Sequence, residues 1–535
     1  MQNKTIKTLA AAMIAAVPFC ANAQNPYLPM WEYIPDGEPY VFEDPDKPGE
    51  YRVYIYGSHD NLIEYYCGRD QVVWSASVND LNNWRYDGVI LKSLFGPDGR
   101  PLNYDSKGDV LYAPDVCVKV GKDGKKEYYL FPNVQNGGRN GLIAKSDRPD
   151  GPFTVCNWSK DNPTVTTGIY GFDPAVFVDD DGRVYGYWGF ETSNGAEMDP
   201  ETMCTVKPGT KVVENMISGR YQEGKFKFFE ASSMRKIDDK YVFIYSRFTE
   251  EGEFGLPSTN YTLAYAYSDN PLGPWTYGGT IIDGRGRDVD DNGKAIPTAN
   301  PYGNTHGSIC QINGQWWVFY HRQCGTDEYS RQAMVAPITV KVEKGKGGKV
   351  TISEGEYNSE GFMTQGFNPF NKSLAGWACY YTNPKGIGQN YPHFIFSGSY
   401  IQASRPAPED CVGAHNLKYS YNPVINNTNG SVVGYKYYNF DACTKLESLT
   451  LKASIKAMGI DGKVEVYVGG PKESRGGKKL GEFAISKDAP QQIAEYRLQT
   501  SALKGIKGKQ PLFFVFKSNT DDKSICELYD FQFVK

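Results

Sequence analysis

The stretch Asp173-Pro174-Ala175-Val176-Phe177-Val178-Asp179-Asp180-Asp181-Gly182-Arg183-Val184-Tyr185-Gly186-Tyr187-Trp188 sets two runs of β-branched and aromatic residues on either side of an Asp-Gly corner. Such side chains suit a pleated, half-buried surface, and Asp-Gly supplies the positive φ of a tight hairpin, so the stretch predicts two paired strands. The same texture runs from Pro39 to Pro337. Val53–Tyr56, Tyr128–Phe131, Tyr241–Tyr245 and Trp316–Tyr320 are further short runs, the last following the turn Asn313-Gly314. Helical periodicity is almost absent. The prediction is an all-β fold.

An internal repeat orders these strands. Ser146-Asp147-Arg148-Pro149-Asp150-Gly151-Pro152-Phe153-Thr154 recurs as Ser268-Asp269-Asn270-Pro271-Leu272-Gly273-Pro274-Trp275-Thr276, and Ser77 to Trp84 is a degenerate copy. Polar strand openings fall at Glu38-Pro39, Ala113-Pro114-Asp115, Asp173-Pro174, Glu230-Ala231 and His306-Gly307. Their anchors, Glu38, Asp115, Asp173, Glu230 and His306, lie 77, 58, 57 and 76 positions apart, spacings that fit four-stranded blades with unequal loops. Five units close a ring. The inner strands of a propeller start near its axis, so these openings should converge on one face.

At 535 residues the chain exceeds what one ordinary core organises. The Lys- and Gly-rich stretch Val342 to Val350 and the polar passage that follows place a boundary near residue 355. The expected organisation is a signal segment over 1–23, a propeller over 24–355, and a linker with a second β domain over 356–535. In the last part, strands resume with Val432–Tyr438, Lys463–Val468 and Leu512–Phe516, which predict a jelly-roll-like β-sandwich. Phe367, Phe370, Trp377, Tyr380 and Tyr381 put rings in what would otherwise be a polar linker. Rings left in water are unfavourable, so the two halves should dock.

A net charge of −5 provides no basic field for nucleic acid or an acidic membrane surface. The N-terminus has two early lysines, an apolar run from Leu9 to Phe19, and Ala21-Asn22-Ala23 before Gln24, the order of a secretory signal cut after Ala23. Acylation at Cys20 is the lesser alternative, because Val17-Pro18-Phe19 lacks the small residues it prefers. No later apolar run approaches the roughly 18 residues of a membrane helix, so a secreted or periplasmic protein acting as a monomer is expected. The remaining cysteines form no C-x-x-C pair, which argues against zinc.

Three strand-opening carboxylates carry the chemistry. Glu38, Asp173 and Glu230 each sit among apolar residues, where burial raises a pKa and lets a carboxyl keep its proton near neutrality. Glycoside hydrolysis needs one carboxyl to protonate the leaving oxygen and another to activate water. In order and spacing these segments resemble glycoside hydrolase family 43. The likeness covers about residues 26 to 345 and includes the stretch from Asp173, Tyr112-Ala113-Pro114-Asp115, the Ser-Asp-x-Pro-x-Gly-Pro repeat, and His306 to His321.

The resemblance implies a five-bladed propeller that inverts the anomeric centre, with Glu230 as general acid and Asp173 tuning and orienting it. It puts Asp before Pro in the first blade, where this chain has Glu38, with Asp36 two residues earlier. Glu38 is taken as the base because Pro39 to Phe42 continues as the inner strand, and Asp36 is the alternative. His306 either stands beside a calcium ion held through water at the axis or simply closes the ring by hydrogen bonds. No cofactor is needed for the chemistry. Trp74, Asp115 and Arg331 are candidate sugar contacts, whereas Asn304, Asp60 and His59 fit loop structure equally well.

The C-terminal half resembles family 6-type carbohydrate-binding sandwiches through Gly434 to Phe440, Leu512 to Phe516 and Asp530-Phe531-Gln532-Phe533. The leading expectation is removal of terminal L-arabinofuranose or D-xylose from plant polysaccharide. A galactan- or galactoside-cleaving enzyme, suggested by the altered first carboxylate, and a non-catalytic glycan-binding propeller are the alternatives.

Overall fold

The computed structural model describes residues 24–62, 64–93, 109–135, 139–404 and 421–535. The expected signal segment and Cys20 lie outside the described residues. Strands dominate, and each polar opening picked out in the sequence stands at or next to the start of an antiparallel sheet. The first sheet orders β1 (Glu38–Glu43), β2 (Tyr51–Tyr56), β3 (Asp70–Ser77) and β4 (Asp80–Lys92). The second holds β5 (Tyr112–Val120), β6 (Lys126–Asn133), β7 (Ala144–Ser146) and β8 (Thr154–Val155). The third holds β9 (Ala175–Val178), β10 (Val184–Trp188), β11 (Asn194–Met198) and β12 (Val213–Glu214). The fourth holds β13 (Phe228–Ile237), β14 (Lys240–Arg247), β15 (Thr262–Ser268) and β16 (Thr276–Asp283). After a hairpin of β17 (Arg287–Val289) and β18 (Ala295–Pro297), the fifth holds β19 (Ser308–Ile312), β20 (Gln315–Gln323) and β21 (Arg331–Ile338).

The period of two along a strand explains why these sheets stack into a ring. On the second strand of every sheet, alternate residues enter different cores. Val53 and Ile55 of β2 join Trp317 and Phe319 of β20, while Tyr54 and Tyr56 join Tyr128 and Leu130 of β6. Tyr129 and Phe131 of β6 join Val184 and Trp188 of β10, while Tyr185 and Tyr187 join Phe243 and Tyr245 of β14. Val242 and Ile244 of β14 join Val318 and Tyr320 of β20, which returns the series to the first sheet. The result is a five-bladed β-propeller. Each buried ring or branched side chain stabilises it by about 1.5–3 kcal/mol relative to exposure.

The N-terminal segment completes the closure. Tyr27, Trp31 and Ile34 pack between the first and fifth blades, and Asn25 accepts from Val335 N–H and donates to its carbonyl at 2.9 and 2.7 Å. The internal repeat has a shared structural role as well. Gly151 and Gly273 stand at φ 68° and 90°, where a side chain is strained. The preceding blade's tyrosine donates to each repeat, Tyr56 to Pro149 O at 2.5 Å and Tyr187 to Pro271 O at 2.8 Å.

A sandwich of two antiparallel sheets follows. One contains Tyr400–Ile401, Val424–Asn427, Cys526–Val534, Leu449–Ala457 and Ile493–Thr500, and the other Tyr380–Thr382, Val432–Asn439, Lys509–Lys517, Gly462–Val468 and Lys478–Ile485. Its core is continuous with the face between the fourth and fifth blades, through Phe367, Trp377 and Tyr381. Buried Arg322 of β20 donates to Gly376 O at 2.6 Å and Ala378 O at 2.8 Å. Among the described residues no two cysteines are joined by a disulfide, and no helix is long and apolar enough to cross a membrane.

Candidate active site

One cavity of about 420 Å³ opens where the blades converge, and Asp36, Asp173, Glu230, His306 and Arg331 all line it. Its walls are aromatic. Tyr65, Tyr66 and Tyr112 stand on one part of the rim, and Phe172, Phe190 and Phe229 on another, with Phe190 5.0 Å from Phe172 and 5.1 Å from Phe229 between ring centres.

Glu230 lies near the start of β13 and is 9% exposed. Burial pushes its carboxyl well above the ordinary glutamate value, and the negative charge of Asp173 pushes it further. Asp173 precedes β9 and is fixed at both oxygens. Oδ1 accepts from Asn133 Nδ2 at 2.9 Å, and Oδ2 accepts from the backbone N–H of Ala231 at 3.2 Å. The second bond ties Asp173 to the residue next to Glu230. Asp173 and Ala231 both have positive φ, 46° and 68°, so the two strand openings are turned from ordinary strand geometry.

Asp36 is a further carboxylate in the cavity. It stands at φ 60°, two residues before β1, and its Oδ2 accepts from Ser58 Oγ at 2.6 Å. Oδ1 accepts from Arg331 Nη1 at 3.1 Å. Burial pushes this carboxyl up, but the Arg331 charge and the Ser58 hydroxyl outweigh it and hold Asp36 below the usual aspartate value. Arg331 is itself clamped by Asp60, whose Oδ1 and Oδ2 accept at 2.9 and 3.0 Å. His321 is buried behind Asp36. Its Nδ1 accepts from the Asp36 N–H at 3.3 Å and its Nε2 donates to Asn304 O at 2.9 Å, so it is neutral, and burial lowers its pKa to about 3.

Glu38, expected as the base, does not line the cavity. It is fully buried below it, where Oε2 accepts from Arg235 Nη2 at 2.7 Å and Ser233 Oγ at 3.1 Å. Those partners come from the fourth blade, so Glu38 ties blade to blade along the axis. Asp115, expected at the sugar, is another strut. Its oxygens accept from Tyr40 Oη at 2.6 Å and Val176 N–H at 2.7 Å, linking the first three blades. Burial, with the charge of Glu38, pushes Asp115 up to about 7. Trp74 is also elsewhere, in the core between the first and fifth blades, donating to Glu32 Oε2 at 2.9 Å. Of the loop candidates, Asn304 lines the cavity and Asp60 buttresses Arg331, while His59 is held between Glu32 and Asp70.

His306 stands at the axis between two carboxylates, with Nδ1 3.6 Å from Asp173 Oδ2 and Nε2 3.8 Å from Glu38 Oε1. Burial opposes its charge, but Asp173 and Glu38 prevail and raise its pKa well above the usual histidine value. Calcium takes six to eight oxygen ligands. Among the described residues no cluster of three or more His, Cys, Asp or Glu groups is arranged to hold a metal. The ion expected here is one held through water, which needs no such cluster, and His306, set between Asp173 and Glu38, is the side chain that would face its water shell.

The propeller with its paired carboxylates defines a carbohydrate-cleaving class of site, and comparison with known proteins gives the family. Residues 41–344 match the model of glycosyl hydrolases family 43, and the chain belongs to that family. It is 37% identical over 341 residues to a xylosidase/arabinosidase of Thermoclostridium stercorarium, an alignment covering 59% of this chain and 64% of that protein. It is 30% identical to xylosidase/arabinosidase 43A of Humicola insolens, over 54% of this chain and 88% of that one. An arabinoxylan arabinofuranohydrolase of Bacillus subtilis (strain 168) is 25% identical over 90% of this chain and 85% of its own length.

Proposed function

We propose that this chain is an inverting glycoside hydrolase that removes terminal L-arabinofuranosyl or D-xylosyl units from plant cell-wall polysaccharides or their oligosaccharides. The observation that carries the reading is one cavity whose lining carboxyls are pushed in opposite directions, Glu230 well up and Asp36 down. Environments that drive two carboxyls apart in pKa assign the acid and the base.

In this reading the terminal sugar enters the cavity and Glu230 donates its proton to the departing glycosidic oxygen. Asp36 takes a proton from a water on the opposite face of the sugar as that water's oxygen bonds to the anomeric carbon. Inversion requires the two carboxyls to stand far enough apart for that water. Asp173, fixed by Asn133 and Ala231 N–H, holds the Glu230 region in place and keeps its pKa high. The base thus passes from Glu38 to Asp36. With an aspartate in that place, the argument for a galactan-cleaving variant, which rested on a longer glutamate, loses its footing.

The relatives at 37% and 30% identity are both named xylosidase/arabinosidase, which supports the choice of sugars. The pattern from Met1 to Ala23 supports export. The sandwich is proposed as a carbohydrate-binding-module type whose supported role is packing against the propeller.

Glu230→Gln tests the assignment. The amide keeps the shape but has no acidic proton, so turnover of arabinoxylan oligosaccharides should fall by about 10² to 10⁴. Activity within about twofold of the parent excludes Glu230 as the acid.

A further inference from the structure

The catalytic cavity is not built by the propeller alone. A hairpin of Ile387–Asn390 and His393–Phe396, belonging to the C-terminal half, places Tyr391 at its two-residue tip among the cavity-lining residues. We propose that Tyr391 forms an aglycone-side subsite, stacking on a sugar of the glycan chain that stays outside the cavity while its terminal unit is held inside. This inference rests on the hydrolase reading above.

Three observations carry it. First, the hairpin is fixed rather than loosely tethered. Phe394 N–H donates to Thr326 O at 2.9 Å, Glu328 N–H donates to Pro392 O at 3.2 Å, and Gln389 Nε2 donates to Glu328 Oε1 at 3.2 Å. The tip is therefore held against the loop that leads into Arg331.

Second, Tyr391 is 69% exposed although its hydroxyl is anchored, 3.3 Å from Tyr66 Oη, which in turn donates to Glu328 Oε2 at 2.5 Å. An apolar ring face held open to water at the mouth of a polar cavity is unfavourable on its own, and a sugar's C–H face can cover it. Third, the cavity floor is occupied by the groups proposed to act on the terminal unit, Asp36 and Glu230. Whatever remains attached to that unit must leave across the rim, and Tyr391 is on the rim. The next sugar of the chain is the ligand its ring suits.

The test is a comparison of binding in the Glu230→Gln background, measured by calorimetry with a free pentose and with a xylo-oligosaccharide bearing one arabinofuranosyl branch. The parent should bind the oligosaccharide more tightly than the pentose. Tyr391→Ala should weaken oligosaccharide binding roughly tenfold relative to the pentose, the loss of one stacked ring. Tyr391→Phe, which keeps the ring, should stay within about twofold of the parent. The inference is overturned if the parent shows no preference for the oligosaccharide, if Tyr391→Ala leaves the ratio of the two affinities unchanged, or if both affinities weaken equally. Hydrolysis by Glu230→Gln within about twofold of the parent would instead count against the acid assignment, so the two failures are distinct.

Discussion

Removing the guanidinium of Arg331 should shift the acid limb of the pH–rate profile upward. Asp36 must be ionised to accept a proton from water, so activity is present above its pKa and is lost as pH falls through it. The pKa of Asp36 is depressed because Arg331 Nη1 lies 3.1 Å from its Oδ1. A unit charge pair about 4 Å apart at an effective dielectric near 20 interacts by about 4 kcal/mol, and one pKa unit corresponds to about 1.4 kcal/mol, which bounds the effect near three units. The Ser58 hydroxyl remains, and the loss of an arginine partner ordinarily moves an aspartate by about 1–3 units. Arg331→Met would also strand Asp60, whose two oxygens the same guanidinium occupies, and stranding a buried charge costs about 3–5 kcal/mol. The variant to measure is therefore Asp60→Asn with Arg331→Met. Its kcat/KM on an aryl pentoside, followed across pH, should lose activity at a pH about 1–3 units higher than the parent does. A folded double variant whose acid limb stays in place would refute the claim that Arg331 keeps the base ionised.

Asp173→Asn removes a negative charge that helps to raise Glu230, so the pKa of Glu230 falls and the alkaline limb, where the acid loses its proton, should move to lower pH. A kcat/KM profile with an unchanged alkaline limb would contradict that role. At the junction of the two halves, Trp377 is 7% exposed within the shared core. Trp377→Ala should cost about 3–5 kcal/mol and lower the midpoint of urea unfolding. A midpoint within error of the parent would mean that the halves do not stabilise each other there.

The architecture was legible because blade strands carry two kinds of information at once. The period-two runs announced strands, and the polar openings at Glu38, Asp115, Asp173, Glu230 and His306 announced where blades begin. Of the three strand-start carboxyls expected to converge, Glu230 and Asp173 line one cavity and Glu38 does not, while Arg331, read as a sugar contact, lines it as well. The choice between Asp36 and Glu38 was beyond local pattern. Two residues apart, both would share a face if the strand ran on regularly, and what separates them is the positive φ at Asp36 and its ion pair with Arg331, nearly three hundred residues away. Trp74 misled for a related reason. An indole on a strand reads the same whether it faces a sugar or a neighbouring blade, and its partner Glu32 belongs to a segment with no strand signal. Tyr391 left no trace of its place, because only the docking of the hairpin on residues 326–328 brings it to the cavity.

The most direct measurement concerns the base. Asp36→Ala should lose hydrolysis of an aryl pentoside by at least about 10², because water in the cavity then has no group to take its proton. Azide needs no such help and fits the space the carboxylate vacates. Added azide should therefore restore turnover, displacing the aryl group and yielding a glycosyl azide of inverted anomeric configuration, identified by proton NMR. Undiminished hydrolysis by Asp36→Ala, or a rescued product of retained configuration, would contradict the assignment of Asp36 as the base opposite Glu230.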